Sequence, residues 1–184
     1  MVLKHALTPE TFISLPRRSV IAPNSNGTLG LYSVSTHELG KGTTKEWRLM
    51  DLATGNSTQY TDEEKFHDVN WLPGSDNTII ALRSGEKGFT EILISSEVDA
   101  QGVGEQHRVA VIEAPLEALK LKALDDGSVA LAVVCLADRH GNMYNDEDEK
   151  NQKLSSARIY DDINVREVCL ALTGLSFCHR SAVR

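Results

Sequence analysis

Three kinds of feature are scarce in this chain, and each scarcity removes a class of function. The first is a long apolar run. The longest, Val129 to Ala137, is about half the ~20 residues that a membrane-spanning helix needs, so no membrane span is expected. The apolar start, Met1 to Leu7, is too short for a secretory leader and runs straight into Thr8-Pro9-Glu10. The second is clustered positive charge. Lys and Arg number 19 against 26 Asp and Glu, a net charge of −7, and the pI is near 5.3. The nearest approaches to a basic cluster are Arg17-Arg18 and Lys120/Lys122, so no nucleic-acid surface is expected. The third is cysteine. Cys135, Cys169 and Cys178 are an odd set without ligand spacing, which reads as reduced thiols in a cytoplasmic protein. In that compartment the patterns Asn26-Gly27-Thr28 and Asn56-Ser57-Thr58 are chance matches to a glycosylation acceptor.

Catalytic motifs are missing as well. An α/β-hydrolase serine sits in Gly-x-Ser-x-Gly, because larger neighbours would clash at the sharp strand-to-helix turn. The nearest string is Gly174-Leu175-Ser176-Phe177-Cys178, which lacks the closing glycine and has no aspartate after it. Cys135 lies in an apolar run and reads as core. His67-Asp68 and Asp138-Arg139-His140 are isolated pairs that read as solvated. Gly85-Glu86-Lys87-Gly88 lacks the Lys-Ser/Thr and helix of a phosphate loop. Asp146-Glu147-Asp148-Glu149 is a run of consecutive carboxylates, whereas a calcium loop places oxygen ligands at set offsets around a bend. No catalytic, cofactor-binding or metal-binding residue is therefore assigned, and no cofactor is expected.

What is present is short alternating strands between turn residues. Hydrophobic residues are 41% and charged residues 24%, enough for a packed core. One helix is expected at Thr8–Leu15, capped by Thr8, opened by Pro9 and ended by Pro16. Strands follow at 29–35, 45–52 and 57–61, the last two joined by the turn Ala53-Thr54-Gly55-Asn56. A second group is expected at 68–71, 78–83, 90–95 and 108–112, with a looser stretch from 97 to 105. A third begins at 118–123 and 128–135. The segment 168–172 reads equally as a strand or a helical turn.

The turn residues Gly27, Asn77 and Gly127 stand 50 residues apart before an apolar strand. Periods of about 40–50 residues with four strands each mark propeller blades. The expected fold is all-β: an incomplete β-propeller of about three blades with a short N-terminal helix. A β-sandwich with evenly spaced hairpins is the alternative. The expected layout is a lead at 1–19, blades at 20–167 and an atypical tail at 168–184. An open propeller leaves faces and strand edges uncovered, so self-association is expected.

Several strings together resemble a known family. They are Leu7-Thr8-Pro9-Glu10, Pro16-Arg17-Arg18-Ser19, Ala22-Pro23-Asn24, Leu31-Tyr32-Ser33-Val34-Ser35, Asp51-Leu52-Ala53-Thr54-Gly55 and Ala157-Arg158-Ile159-Tyr160-Asp161. Their order and spacing resemble the N-terminal portion of fungal dipeptidyl peptidase V, of the prolyl oligopeptidase family of serine peptidases. The resemblance implies a propeller that covers a C-terminal α/β-hydrolase domain and restricts it to short peptides. It also implies that the catalytic Ser, Asp and His lie in that second domain, and none is carried over to this chain. After Glu167 the sequence departs from the family pattern, as a frameshift, a retained intron or a mis-assigned exon would make it. The expectation is a truncated propeller without peptidase activity of its own; the alternative is a free-standing protein-interaction module.

Overall fold

The computed structural model describes residues 8–137, 143–145, 147 and 168–172. The sequence readings at 138–140, 157–161 and 174–178, and most of the acidic run at 146–149, lie outside these residues.

Helix α1 (Pro9–Ser14) forms where expected, with the Thr8 hydroxyl accepting the Thr11 amide at 3.2 Å. Pro16 enforces extended backbone at Leu15, which ends the helix. Among the described residues after it, every strand pairing is antiparallel.

The first sheet holds β1 (Arg17–Arg18), β2 (Ala22–Pro23), β3 (Leu29–Glu38), β4 (Gly42–Asp51) and β5 (Ser57–Thr61). Both β1 and β2 pair with β3, so together they fill one strand position. The second sheet is β6 (Phe66–Trp71), β7 (Ile79–Ser84), β8 (Thr90–Ser95) and β9 (Gln106–Ile112), in that spatial order. The third is β10 (Leu116–Ala123), β11 (Val129–Cys135) and β12 (Val168–Leu172). The ambiguity at 168–172 resolves to a strand, antiparallel to β11.

The expected repeat is present, with one correction. In each sheet a backbone hydrogen bond closes the first turn: Asn24 N–H to Leu29, Leu72 N–H to Thr78 and Leu124 N–H to Ser128. Beyond these turns the first facing pairs are Pro23↔Gly30, Trp71↔Ile79 and Ala123↔Val129. Equivalent positions on the second strand of each pair therefore lie 49 and then 50 residues apart, not 50 throughout. The slip matters because one residue exchanges the two faces of a strand. Asn77 is likewise not the counterpart of Gly27 and Gly127. In the second turn the left-handed residue is Gly74, at φ 81°.

A further feature repeats that has no residue signature. The first strand of every sheet carries one residue more than its partner. The extra residue lies between Arg18 and Ala22, at Asp68, and between Glu117 and Lys120. These bulges force positive φ on two non-glycine residues 50 positions apart, Asp68 (47°) and Ala118 (54°). Strand β9 is bulged too, with Val109 the unpaired residue.

The second sheet is buried on both faces, which explains its unbroken apolar run Ile79-Ile80-Ala81-Leu82. On one side Val69, Ile79, Ala81 and Leu93 pack with Leu29, Leu31 and Leu49 of the first sheet, and Val98 from the 96–105 loop closes that layer. On the other side Ile80, Leu82, Ile92 and Ile94 pack with Leu116, Leu119, Leu131, Val133 and Cys135 of the third. Cys135 is thus core, as expected, and burial pushes its thiol pKa up. The far face of the first sheet is only thinly covered. There Ile21 and Leu52 lie directly over Gly30, leaving no room for a Cβ.

Leu82 is fully buried between the second and third sheets. Replacing it with alanine is expected to cost about 2–5 kcal/mol, read as a lower midpoint in urea unfolding with an unchanged slope.

Candidate functional site

Two clefts open at the end of the stack where the β7–β8 hairpin lies. One, of about 730 Å³, lies along the seam of the second and third sheets. The bulged residues His67 and Asp68 line it, with Thr90, Leu116 and Glu117.

The bulge aims both side chains across the seam. His67 Nε2 donates to the Leu116 carbonyl at 2.9 Å, and Nδ1 faces the Lys65 carbonyl at 3.3 Å. Both ring nitrogens are thus turned to backbone oxygens, and neither meets a hydroxyl or thiol it could activate. Asp68 Oδ2 accepts the Leu119 amide at 3.0 Å, an amide freed by the facing bulge in β10. Thr90 completes the tie: its hydroxyl accepts the Leu116 amide at 3.0 Å and donates to the Ala114 carbonyl at 2.9 Å. The reading of His67-Asp68 as a solvated pair is therefore corrected. The pair joins two sheets, and only the bulge, which no residue pattern announces, could have revealed it.

The neighbouring seam is closed by the same kind of contact. Trp71 Nε1 donates to the Ala22 carbonyl at 2.8 Å, and Asn24 Nδ2 to the Asp76 carbonyl at 2.8 Å. Thr58 donates to the Ala100 carbonyl at 2.7 Å, and the Tyr60 and Ser95 hydroxyls are hydrogen-bonded to each other at 2.9 Å. Donors from one sheet meet carbonyls of the next at both seams.

The second cleft, of about 560 Å³, lies beside the β7–β8 hairpin and β9. Its floor is an ion ladder across three strands. Glu91 Oε2 accepts from Arg83 Nε and Nη2 at 2.8 and 2.6 Å, and Oε1 accepts from Arg108 Nη1 at 2.9 Å. Arg83 also lies over the Phe66 ring, 5.7 Å from its centroid. The hydrogen bonds from Arg108 and then Arg83 hold the Glu91 carboxyl below the usual carboxylate range. The sequence reading passed over this ladder; the alternation Arg83, Glu91, Arg108 on adjacent strands is its signal.

The hairpin turn itself has no phosphate-loop geometry. Glu86–Gly88 is a short 3-10 segment kinked at Lys87, whose φ is 56°. Gly88, at φ 68°, lets the buried Asn145 approach, and Asn145 Nδ2 donates to the Lys87 carbonyl at 2.8 Å. Among the described residues no three His, Cys, Asp or Glu side chains gather as a metal site. No helix among them is long and apolar enough to cross a membrane.

Stacked antiparallel sheets of this kind are found in a solved peptidase. The acylaminoacyl peptidase of Pyrococcus horikoshii superposes with a TM-score of 0.51 at 14% identity, over 73% of this chain and 20% of that one. At this identity the likeness is one of fold.

The sequences carry the comparison further. The chain is 32% identical over 165 residues to the probable dipeptidyl-peptidase 5 of Aspergillus terreus, covering 88% of this chain and 22% of that protein. It is 31% identical over 175 residues to the probable dipeptidyl-peptidase 5 of Aspergillus niger (93% and 23%). It is 31% identical over 169 residues to the dipeptidyl-peptidase 5 of Aspergillus oryzae (88% and 22%). The chain thus spans less than a quarter of the length of these relatives. No protein-family model matches it. The resemblance read from the sequence holds: nearly the whole chain is similar to a portion of fungal dipeptidyl peptidase V.

The Glu91 ladder has a pH signature. A carboxyl whose pKa is lower folded than unfolded adds stability above the unfolded value, about 4.3, and loses it as the pH falls through the folded one. Glu91→Gln is expected to cost about 1 kcal/mol at pH 7 and to flatten the acid limb of a stability-against-pH curve measured by denaturant unfolding.

Proposed function

We propose that this chain is the N-terminal β-propeller portion of a dipeptidyl-peptidase-V-like serine peptidase. In the longer protein its blades stand over a C-terminal α/β-hydrolase domain and restrict entry to short peptides. The observation that carries this reading is the coverage: the chain matches over 88% of its own length and only 22% of its relative's.

The architecture supports it. Meandering sheets that recur at 49 and 50 residues, with the middle one buried on both faces, are units built to be stacked further. The reading assigns the nucleophile, base and oxyanion hole of acyl-enzyme hydrolysis to the second domain. That fits His67 and Asp68, each of which makes a hydrogen bond across the seam. A stack without its neighbours presents uncovered faces, so the isolated chain is expected to self-associate.

Two assays test the proposal. The purified chain is expected to release no chromophore from a dipeptide reporter; release blocked by a serine-directed inhibitor would overturn it. A chimera in which this chain replaces the matching segment of the Aspergillus oryzae dipeptidyl-peptidase 5 is expected to keep inhibitor-sensitive activity. A chimera that folds, by gel filtration and circular dichroism, yet is inactive would favour the free-standing interaction module.

A further inference from the structure

The cleft beside the β7–β8 hairpin brings four cations together with three carboxylates, Glu63, Glu86 and Glu91, a net charge of +1 in a chain whose net charge is −7. Lys65, Arg83, Lys87 and Arg108 line it. The turn end of the stack offers a contrast. Its five loops, 24–28, 52–56, 72–78, 96–105 and 124–128, contain Asp76, Glu97, Asp99, Glu105, Asp125 and Asp126 and neither lysine nor arginine.

Glu91 fixes the geometry there. Its two carboxylate oxygens are taken up by Arg83 and Arg108, which brings two guanidinium groups side by side and cancels one of their charges. Arg83 keeps its Nη1 donors, and Arg108 keeps Nε and Nη2. Phe66 under Arg83 and the Glu91 bonds restrain both side chains before any ligand arrives. Lys65 and Lys87 are exposed and form no ion pair among the described residues. The Ser84 hydroxyl lines the same cleft. The opposing carboxylates, Glu63 and Glu86, are exposed to solvent. Guanidinium groups held in a fixed fork are suited to a planar or tetrahedral oxyanion, and lysines add charge without demanding geometry.

We propose that this cleft is an anion-binding site for a carboxylate or phosphate group, held by Arg83 and Arg108 with Lys65 and Lys87 at its rim. The group has two sources, the carboxylate of an acidic peptide and free inorganic phosphate.

The full chain, labelled with nitrogen-15, would be titrated at constant ionic strength with inorganic phosphate and, separately, with a short Asp/Glu peptide capped at both ends; chloride is the control. Saturable shifts confined to the amides of Lys65, Ser84–Glu91 and Arg108 are expected with at least one probe. The stronger probe names the source. Lys65→Gln with Lys87→Gln leaves the ladder intact and is expected to weaken binding about tenfold. Arg108→Gln, at an exposed position, is expected to do the same or more. Shifts that match chloride, or binding that both variants leave unchanged, would overturn the proposal.

Discussion

The structure depends on the burial of one sheet from both sides. Strand β7 places Ile79 and Ala81 on one face and Ile80 and Leu82 on the other, and both faces are closed by neighbours. Ile79, Ile80 and Leu82 each contribute about 1.5–3 kcal/mol by leaving water. The outer sheets hold their places because each has this sheet to pack against. An antiparallel sheet ordinarily alternates apolar and polar positions. Strand β7 does not, and the departure marks a strand closed from solvent on both faces.

Hydrophobic layers alone would allow the sheets to slide. Polar ties across the seams select one arrangement: His67 to Leu116, Asp68 to Leu119, Trp71 to Ala22, Asn24 to Asp76. Most are side-chain donors meeting backbone carbonyls, so they depend on where the chain runs more than on which residue occupies the far side. That is why the repeat persists in geometry while residue identities drift. Side chains of catalytic type, an imidazole next to a carboxylate, are absorbed into this task.

How much of this the sequence disclosed follows from the range of each signal. Alternation and turn residues are local, so the strands and the Thr8-capped helix were readable, as was Cys135 as core. The period was readable to within one residue. Its residual error came from counting turn residues, whose position shifts with turn length, where the closing hydrogen bonds keep register. Nothing local announces a bulge in β6 or β10, so the inward turn of His67 and Asp68 was hidden. The Arg83–Glu91–Arg108 ladder was hidden for another reason: its members come together only once three strands are in register. The resemblance to dipeptidyl peptidase V came from strings spread along the chain.

The bulge at Val109 has a consequence of its own. Strand β9 is the outer edge of its sheet and carries Val109-Ala110-Val111-Ile112, a stretch with no proline and no charge. A straight edge of that composition is a template onto which any extended chain can add. The extra residue breaks the row of outward amides and carbonyls into two short lengths. A foreign strand aligned with one half is out of step with the other. The sheet is thereby insulated against growth sideways, while both of its faces are already taken by the first and third sheets.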